Sequence, residues 1–221
     1  MQDLLRVAPP LASVAVFVAP YKTVTDIRKN QTTGDLPALT FVSMSVMCAI
    51  WGTYGGLIGD MTVLLPNLFG SVLSLYYLHV FETYTPKGVK SNELSRWYQA
   101  GIILLALILL QVTFGDVKNA SGVVGTCGTI LAIIFSISPL SALPAVIRTR
   151  SPESIPLPTA LMMFTNSALW MAYAMFVVDD SSIYISNLVG VLAAAVQFSV
   201  HVLFKAGLLA RNTEGVKVAS L

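Results

Sequence analysis

Four side chains of two kinds recur at matched spacing along the chain. Trp51 is followed 16 residues later by Asn67, and Trp170 is followed 17 residues later by Asn187. An asparagine amide offers two donors and an acceptor, which suits vicinal hydroxyl groups, and an indole face suits the C–H face of a pyranose ring. The two pairs therefore have the chemistry of a sugar clamp.

Each residue type also has a simpler explanation. Tryptophan is common at membrane interfaces, and an asparagine inside a membrane helix often only hydrogen-bonds a neighbouring helix. Neither explanation requires that both types recur together at matched positions. We therefore favour substrate binding.

The composition is that of a membrane protein. Of 221 residues, 55% are hydrophobic and 11% are charged, whereas soluble domains carry about 25% charged residues. A net charge of +2 without a run of Lys and Arg gives no reason to expect nucleic-acid binding. The two His and two Cys form no catalytic or metal-binding set, so we predict no enzyme activity, no cofactor and no metal.

The apolar runs predict seven membrane-spanning helices, since a helix needs roughly 20 mostly apolar residues to cross the hydrocarbon core. Their predicted limits are 4–27, 38–58, 61–83, 97–115, 121–147, 157–178 and 181–207. With the N-terminus outside, 11 of the 13 Lys and Arg fall on the cytosolic side and two, Arg6 and Lys118, fall outside. This bias predicts an external N-terminus and a cytosolic C-terminus.

The chain contains a tandem repeat of three-helix units. An offset of 119 residues aligns six pairs: Pro20 with Pro139, Lys29 with Arg148, Pro37 with Pro156, Trp51 with Trp170, Tyr54 with Tyr173, and Asp60 with Asp179. One extra residue, which we assign to the 179–182 loop, then aligns Asn67 with Asn187 and Gly70 with Gly190.

The predicted fold is an all-α membrane protein in which two parallel three-helix bundles are joined by an inversion linker helix. Three helices end on the opposite side of the membrane from where they start, so a second unit has the same orientation only if one further helix crosses between the two. Span 4, which has no counterpart in either unit, is that helix. The predicted domains are the first repeat (1–85), the linker with helix 4 (86–118), the second repeat (119–207) and a short cytosolic tail (208–221). Transporters with such repeats bind substrate between the halves.

The two tryptophans and two asparagines are predicted to lie at the same depth in the membrane. Trp51 lies seven residues from the outer end of span 2 and Asn67 six residues from that of span 3. Both therefore sit ~10 Å below the outer surface, and the second repeat places its pair at the same depth.

The repeated prolines form a second predicted layer near the cytosolic side. Proline removes a helical hydrogen bond and permits a kink, so we predict gate or hinge positions, together with the paired tyrosines, at Pro20, Pro37, Pro139, Pro156, Tyr54 and Tyr173. For Pro37 and Pro156 an ordinary helix start is the simpler explanation.

The central parts of the spans carry no Asp, Glu, Lys or Arg. Ion-coupled transporters normally keep such a group there. We therefore expect passive, gradient-driven transport.

These features together resemble the SWEET sugar transporters of the MtN3/saliva, PQ-loop-related group. The resemblance runs from about Val7 to Phe204, and it rests on the two three-helix units around an inversion helix, the four prolines and the two Trp–Asn pairs. It implies bidirectional, energy-independent sugar transport by alternating access, with the Asn and Trp pairs binding the sugar and the prolines forming the inner gate.

The resemblance also implies that the residues four positions before the first proline and before the tryptophan of each repeat shape the pocket. Here these are Val16, Met47, Phe135 and Asn166. The bulk of Met47 and Phe135 favours a monosaccharide such as glucose. Residence in the plasma membrane, or alternatively in a vacuolar or other endomembrane, and assembly into homo-oligomers are further expectations from the resemblance.

Two alternatives remain. A proton-coupled PQ-loop transporter of amino acids or other small metabolites shares the topology, but it would need an intramembrane carboxylate. A seven-helix receptor also shares the number of spans, but the duplicated unit and the short loops argue against it. Glycosylation of the Asn119-Ala-Ser triplet stays open.

Overall fold

The structure, a computed structural model, describes residues 2–138, 140, 144 and 157–205. This part of the chain is helical, without a β-strand, which confirms the all-α class. Its α-helices are α1 (Gln2–Val18), α2 (Tyr21–Asn30), α3 (Ala38–Leu57), α4 (Met61–Thr83), α5 (Val89–Phe114), α6 (Val117–Ile137), α7 (Leu157–Tyr173) and α8 (Ser181–Lys205). A π-helical turn, Ala174–Val178, extends α7.

Seven stretches of the described residues are long and apolar enough to cross a membrane, as predicted. Helices α1 and α2 together form the first stretch, and α7 with its π-helical turn forms the sixth. Three predicted spans, 38–58, 61–83 and 157–178, agree with the helices to within one residue; the span 181–207 agrees at its start, and its last two residues lie outside the described part of the chain.

The first span breaks at Pro20, the position where the sequence predicts that a kink is possible. Helix α1 ends at Val18 and α2 begins at Tyr21. Proline has no N–H, so the Val16 carbonyl oxygen cannot receive the usual bond from position 20. The second repeat shows a matching end: α6 stops at Ile137, which is 119 residues after Val18.

Two predicted helix starts are wrong. Helix α5 begins at Val89 rather than at residue 97, and α6 begins at Val117 rather than at residue 121. The prediction stopped at charged residues such as Arg96, but a helix can extend past the hydrocarbon core into water. Charged residues therefore do not mark where these two helices begin.

The chain divides into two compact units, and the boundary between Leu131 and Ala132 falls inside α6. In the first unit, α3 packs along α4, with the rings of Phe41 and Phe81 4.9 Å apart between their centroids. The linker helix α5 packs against α3 at Gly101, where an ideal Cβ would lie 3.0 Å from Val46 Cγ2. The predicted domain limits, which differ from this division, remain predictions.

The connection between α2 and α3 is tied to neighbouring elements of the first unit. The Thr33 amide donates to the Tyr84 carbonyl oxygen (3.3 Å) beyond the end of α4. The Lys90 side chain, near the start of α5, donates to the Gly34 carbonyl oxygen. These bonds fix the path of the chain up to Pro37, which precedes α3 in an extended conformation.

In the second unit, α7 packs along α8, and the turn between them locates the extra residue of this repeat. The Asp60 amide donates to the Gly55 carbonyl oxygen (2.8 Å), and the Asp180 amide donates to that of Ala174 (3.3 Å). The donors are 120 residues apart and the acceptors 119. The extra residue therefore lies between Ala174 and Asp180, where the helix widens into the π-helical turn.

The assignment of the extra residue to the 179–182 loop is thus wrong, and so is the alignment of Asp60 with Asp179. Asp179 instead matches Gly59: both residues are left-handed, with φ of 53° and 71°. A gap inside an apolar segment such as Met175–Val178 leaves no mark in the residue types. Two adjacent aspartates offered two alignments, and only the backbone geometry distinguishes them.

The true pair, Asp60 and Asp180, caps the following helices. The Asp60 carboxylate accepts a bond from the Thr62 amide (2.8 Å), and the Asp180 carboxylate accepts one from the Ile183 amide (2.9 Å). Each cap satisfies an N–H that the helix itself leaves unpaired. The caps therefore fix where α4 and α8 begin. Each helix starts a little less than two turns before its asparagine, Asn67 or Asn187.

Candidate functional site

The tryptophan of each repeat is held by a tyrosine one turn further along the same helix. The ring centroids of Trp51 and Tyr54 are 5.6 Å apart with an interplanar angle of 86°, and those of Trp170 and Tyr173 are 5.6 Å apart at 89°. Such edge-to-face contacts are favourable for aromatic pairs. Tyr54 and Tyr173 are 6% and 0% exposed, so a buried phenol orients each indole.

The asparagines repeat a second geometry. Asn67 Nδ2 donates to the Val63 carbonyl oxygen at 2.8 Å, and Asn187 Nδ2 donates to the Ile183 carbonyl oxygen at 2.8 Å. Both side chains are half-buried. The two amides therefore have the same orientation relative to their own helices.

In the first unit, a glycine next to the tryptophan lets the helix that carries it approach the helix that carries the asparagine. An ideal Cβ on Gly52, which follows Trp51, would lie 3.6 Å from the Asn67 Cβ. Helices α3 and α4 thus meet at the level of these two residues, as their predicted depth requires.

Gly128 is a site residue that the sequence interpretation missed. The indole of Trp51 lies against it, and an ideal Cβ on Gly128 would approach Trp51 Cε2 to 3.2 Å and Ile50 Cγ2 to 3.2 Å. The sequence signal for this contact is the three-residue spacing of Gly122, Gly125 and Gly128, which favours close helix packing but does not identify the neighbour.

A further glycine in each repeat lets three helices meet. An ideal Cβ on Gly70 would lie 2.7 Å from both Cys48 Sγ and Phe17 Cε2. The residues that meet Gly190 are the repeat counterparts of these neighbours: its ideal Cβ would lie 2.5 Å from Ser167 Oγ and 3.6 Å from Ser136 Oγ. The two repeats therefore share this contact between helices, although the residues that meet the glycine differ in type.

The four positions predicted to shape the pocket are neighbours in sequence of these contact residues. Val16 and Met47 precede Phe17 and Cys48 in the first repeat, and the corresponding positions of the second repeat are Phe135 and Asn166. All four side chains are half-buried. Their role in substrate choice stays a prediction.

The prolines are only partly described. Pro20 separates α1 from α2 with φ of −70° and ψ of −8°. Pro37 precedes α3 with φ of −75° and ψ of 132°, which fits the simpler explanation of a helix start. Pro139 and Pro156 lie outside the described residues. The gate role of all four, and of Tyr54 and Tyr173, stays a prediction.

Within the described residues, no group of three His, Cys, Asp or Glu side chains is close enough to hold a metal ion. The carboxylates nearest to the candidate site along the chain are those of Asp60 and Asp180, which cap helices. In each repeat, the candidate residues offer one amide group and one indole face for recognition.

Several proteins of known family are similar over most of the chain. "Sugar transporter SWEET1" of Drosophila pseudoobscura pseudoobscura is 27% identical over 207 residues, covering 91% of this chain and 89% of the relative. "Bidirectional sugar transporter SWEET17" of Arabidopsis thaliana is 27% identical over 197 residues, covering 87% and 81%. A solved eukaryotic SWEET transporter superposes with a TM-score of 0.82 at 24% identity, covering 93% of this chain and 97% of that one, and so has the same fold.

A family model for sugar efflux transporters for intercellular exchange matches the chain twice, over residues 3–88 and 122–207. The two matches together span more than half of the chain, and they fall on the two segments that carry the repeat. Members of this family are membrane transporters, which confirms the prediction that the chain is an integral membrane protein and not an enzyme. The chain belongs to the MtN3_slv family, that of sugar efflux transporters for intercellular exchange.

Proposed function

We propose that this protein transports sugars across a membrane in both directions without an energy source. The observation that carries the proposal is the duplicated geometry of the Trp51–Tyr54 and Asn67–Val63 contacts, which recur in the second repeat with the same distances. Amides and aromatic faces are the groups that bind sugar hydroxyls and pyranose rings. Membership of the MtN3_slv family supports the same activity.

In the proposed site, Asn67 and Asn187 hydrogen-bond the sugar while Trp51 and Trp170 contact its apolar face. Tight binding is not needed for this role. A millimolar dissociation constant corresponds to about −4 kcal/mol, which a few hydrogen bonds and one stacked ring can supply. Weak binding also lets the sugar leave.

We propose glucose or a similar monosaccharide as the substrate. Val16, Met47, Phe135 and Asn166 would line the pocket, and the large side chains of Met47 and Phe135 would leave less room for a disaccharide. Each of the four positions precedes a residue of the three-helix contact in its own repeat, which supports a place near the interior.

Alternating access would use the prolines as hinges of an inner gate. The break between α1 and α2 at Pro20 supports this role, because a helix without that hydrogen bond bends at lower cost. Uncoupled transport is supported by the lack of charged residues in the central parts of the spans and by the capping role of Asp60 and Asp180.

Residence in the plasma membrane, an external N-terminus with a cytosolic C-terminus, and assembly into homo-oligomers are parts of the same proposal. The positive-inside distribution of Lys and Arg supports the orientation. The competing function is proton-coupled transport of amino acids or other small metabolites.

Uptake of labelled glucose and sucrose into proteoliposomes, with and without a proton gradient, tests the proposal. We expect glucose to equilibrate across the membrane at the same rate in both conditions, and sucrose to enter more slowly. No uptake of either sugar would refute sugar transport. Uptake only with an inward proton gradient would refute the uncoupled mechanism and favour a proton-coupled one.

A further inference from the structure

The amide contacts of the two asparagines have a definite polarity. In both repeats the side-chain nitrogen faces the carbonyl oxygen of the residue four positions earlier, Val63 for Asn67 and Ile183 for Asn187. A carbonyl oxygen has no proton to give, so the amide must turn its amino end toward it. The same contact in two repeats of different local sequence indicates that it belongs to the repeat.

This contact leaves the amide oxygen for another partner. The oxygen and the amino group of an amide point in different directions within one plane, so each Oδ1 points away from the carbonyl that holds the nitrogen. In the described part of the chain, the hydrogen bonds of Asn67 and Asn187 are made by Nδ2, and their Oδ1 atoms accept none. Neither Oδ1 is among the buried side-chain atoms of the described residues that lack a partner, so both are accessible to a ligand.

The two amides differ in how many N–H donors remain. Ser186 Oγ lies 3.4 Å from Asn187 Nδ2, and it donates its own proton to the Ile183 carbonyl oxygen at 3.0 Å. In the first repeat this position is Pro66, whose side chain has no acceptor. Asn67 thus keeps one N–H for a ligand, whereas both N–H groups of Asn187 face acceptors of the protein.

We infer, on the basis of the sugar-binding role proposed above, that the site selects hydroxyl groups that donate. Asn187 accepts a proton from one substrate hydroxyl through Oδ1 alone. Asn67 accepts from one hydroxyl and donates to another, which suits a vicinal diol. A fluoro, ether or keto group can accept a hydrogen bond but cannot donate one, so it does not replace the hydroxyl that Asn187 requires.

The Asn187→Asp variant tests the polarity within the protein. A protonated aspartic acid can donate its O–H to the Ile183 carbonyl oxygen and keep its C=O as the acceptor, whereas the carboxylate repels that carbonyl. Uptake relative to wild type is expected to be lower by about tenfold or more at neutral pH and to recover as pH is lowered equally on both sides. The control, Asn187→Leu, has a similar shape without an acceptor and should stay low at every pH. An Asp variant that follows the Leu variant throughout would contradict the inference.

Substrate analogues test the same point with the wild-type protein and do not depend on a variant that folds. The experiment measures how strongly unlabelled glucose analogues inhibit the uptake of labelled glucose. In one series of analogues each hydroxyl in turn is replaced by hydrogen, and in the other by fluorine. At one or more positions, we expect the deoxy sugar and the deoxyfluoro sugar to inhibit uptake equally weakly. Each should inhibit about tenfold less strongly than unlabelled glucose. The inference is overturned if fluorine restores competition at every position where hydrogen abolishes it. Absence of glucose uptake would instead refute the proposed function.

Discussion

The indole of Trp51 lies directly against the α-carbon of Gly128. A methyl group on that glycine would approach Trp51 Cε2 to 3.2 Å and Cζ2 to 3.3 Å, which is closer than ordinary van der Waals contact. Trp51 is thus positioned from two sides, by the ring of Tyr54 on its own helix and by Gly128 on α6. If the indole binds sugar, Gly128 sets where the sugar can stack.

Substitution of Gly128 is expected to weaken sugar binding in proportion to side-chain size. Gly128→Ala should raise the apparent KM for glucose uptake by about threefold and Gly128→Leu by about tenfold or more, because overpacking displaces the indole. Gly122→Leu is the matched control: Gly122 lies on the same helix, is exposed, and has no atom within 4 Å of its ideal Cβ. Equal effects at the two glycines would show that Gly128 does not act through Trp51.

The glycines at the three-helix contacts should be sensitive to a single methyl group. Gly70→Ala and Gly190→Ala would place Cβ 2.7 Å from Cys48 Sγ and 2.5 Å from Ser167 Oγ, so each should lower the free energy of unfolding by about 1–3 kcal/mol. Thermal unfolding in detergent measures the change. Gly56→Ala, at an exposed helix position with no atom near the ideal Cβ, should be neutral or stabilising.

A compensating change provides a second check of this contact. Ser167→Ala removes the hydroxyl that the added methyl group of Gly190→Ala would meet, so it should recover part of the stability that the glycine substitution loses. Thermal unfolding of the two single variants and the double variant measures the recovery. If the double variant is no more stable than Gly190→Ala alone, the hydroxyl is not the source of the clash.

Restoring the missing hydrogen bond at Pro20 is expected to impair the gate. In Pro20→Ala the new N–H can donate to the Val16 carbonyl oxygen and join α1 to α2 as one helix. A bias of about 1.4 kcal/mol toward the straight form would slow uptake by about tenfold, while the amount of folded protein stays unchanged. Pro37→Ala is the control, since Pro37 stands before a helix in an extended conformation and should matter less. Unchanged uptake by Pro20→Ala would argue against a hinge at this residue.

The π-helical turn should tolerate the loss of one residue. The first repeat makes the same turn, from Gly55 to Asp60, with one residue fewer, so deletion of Val177 should leave an ordinary α-helical end before Asp180. We expect the unfolding temperature and the uptake rate to stay close to those of wild type. Deletion of Leu57 from the shorter turn of the first repeat should destabilise the protein, and a reversed order of the two effects would contradict this account of the repeat.

The helices and the matched side chains could be predicted because they depend on residue type and period. Apolar length defined the seven spans, and the pairing of Trp51 with Trp170 and of Asn67 with Asn187 singled out the candidate site. The proline at position 20 predicted a kink, and the helix does break there. Each of these features is local in sequence or follows from comparing one repeat with the other.

The contacts between helices could not be predicted in the same way. The glycine spacing in α6 indicated that some element approaches closely, but only the structure identifies Trp51 as the neighbour of Gly128. The orientation of the Asn67 amide depends on which of its two ends meets the Val63 carbonyl oxygen, and the residue type alone leaves both orientations open. Tertiary distances, which a single sequence does not contain, decide such questions.

Uptake by asparagine variants tests most directly whether the matched amides bind the sugar. Asn67→Ala and Asn187→Ala, reconstituted in equal amounts of folded protein, are each expected to reduce glucose uptake to the level of empty liposomes. Asn119→Ala should leave uptake unchanged, because Asn119 is exposed and hydrogen-bonds Asp116 at the start of α6. Normal uptake by both Asn67→Ala and Asn187→Ala would contradict the account and leave these residues with a structural role only.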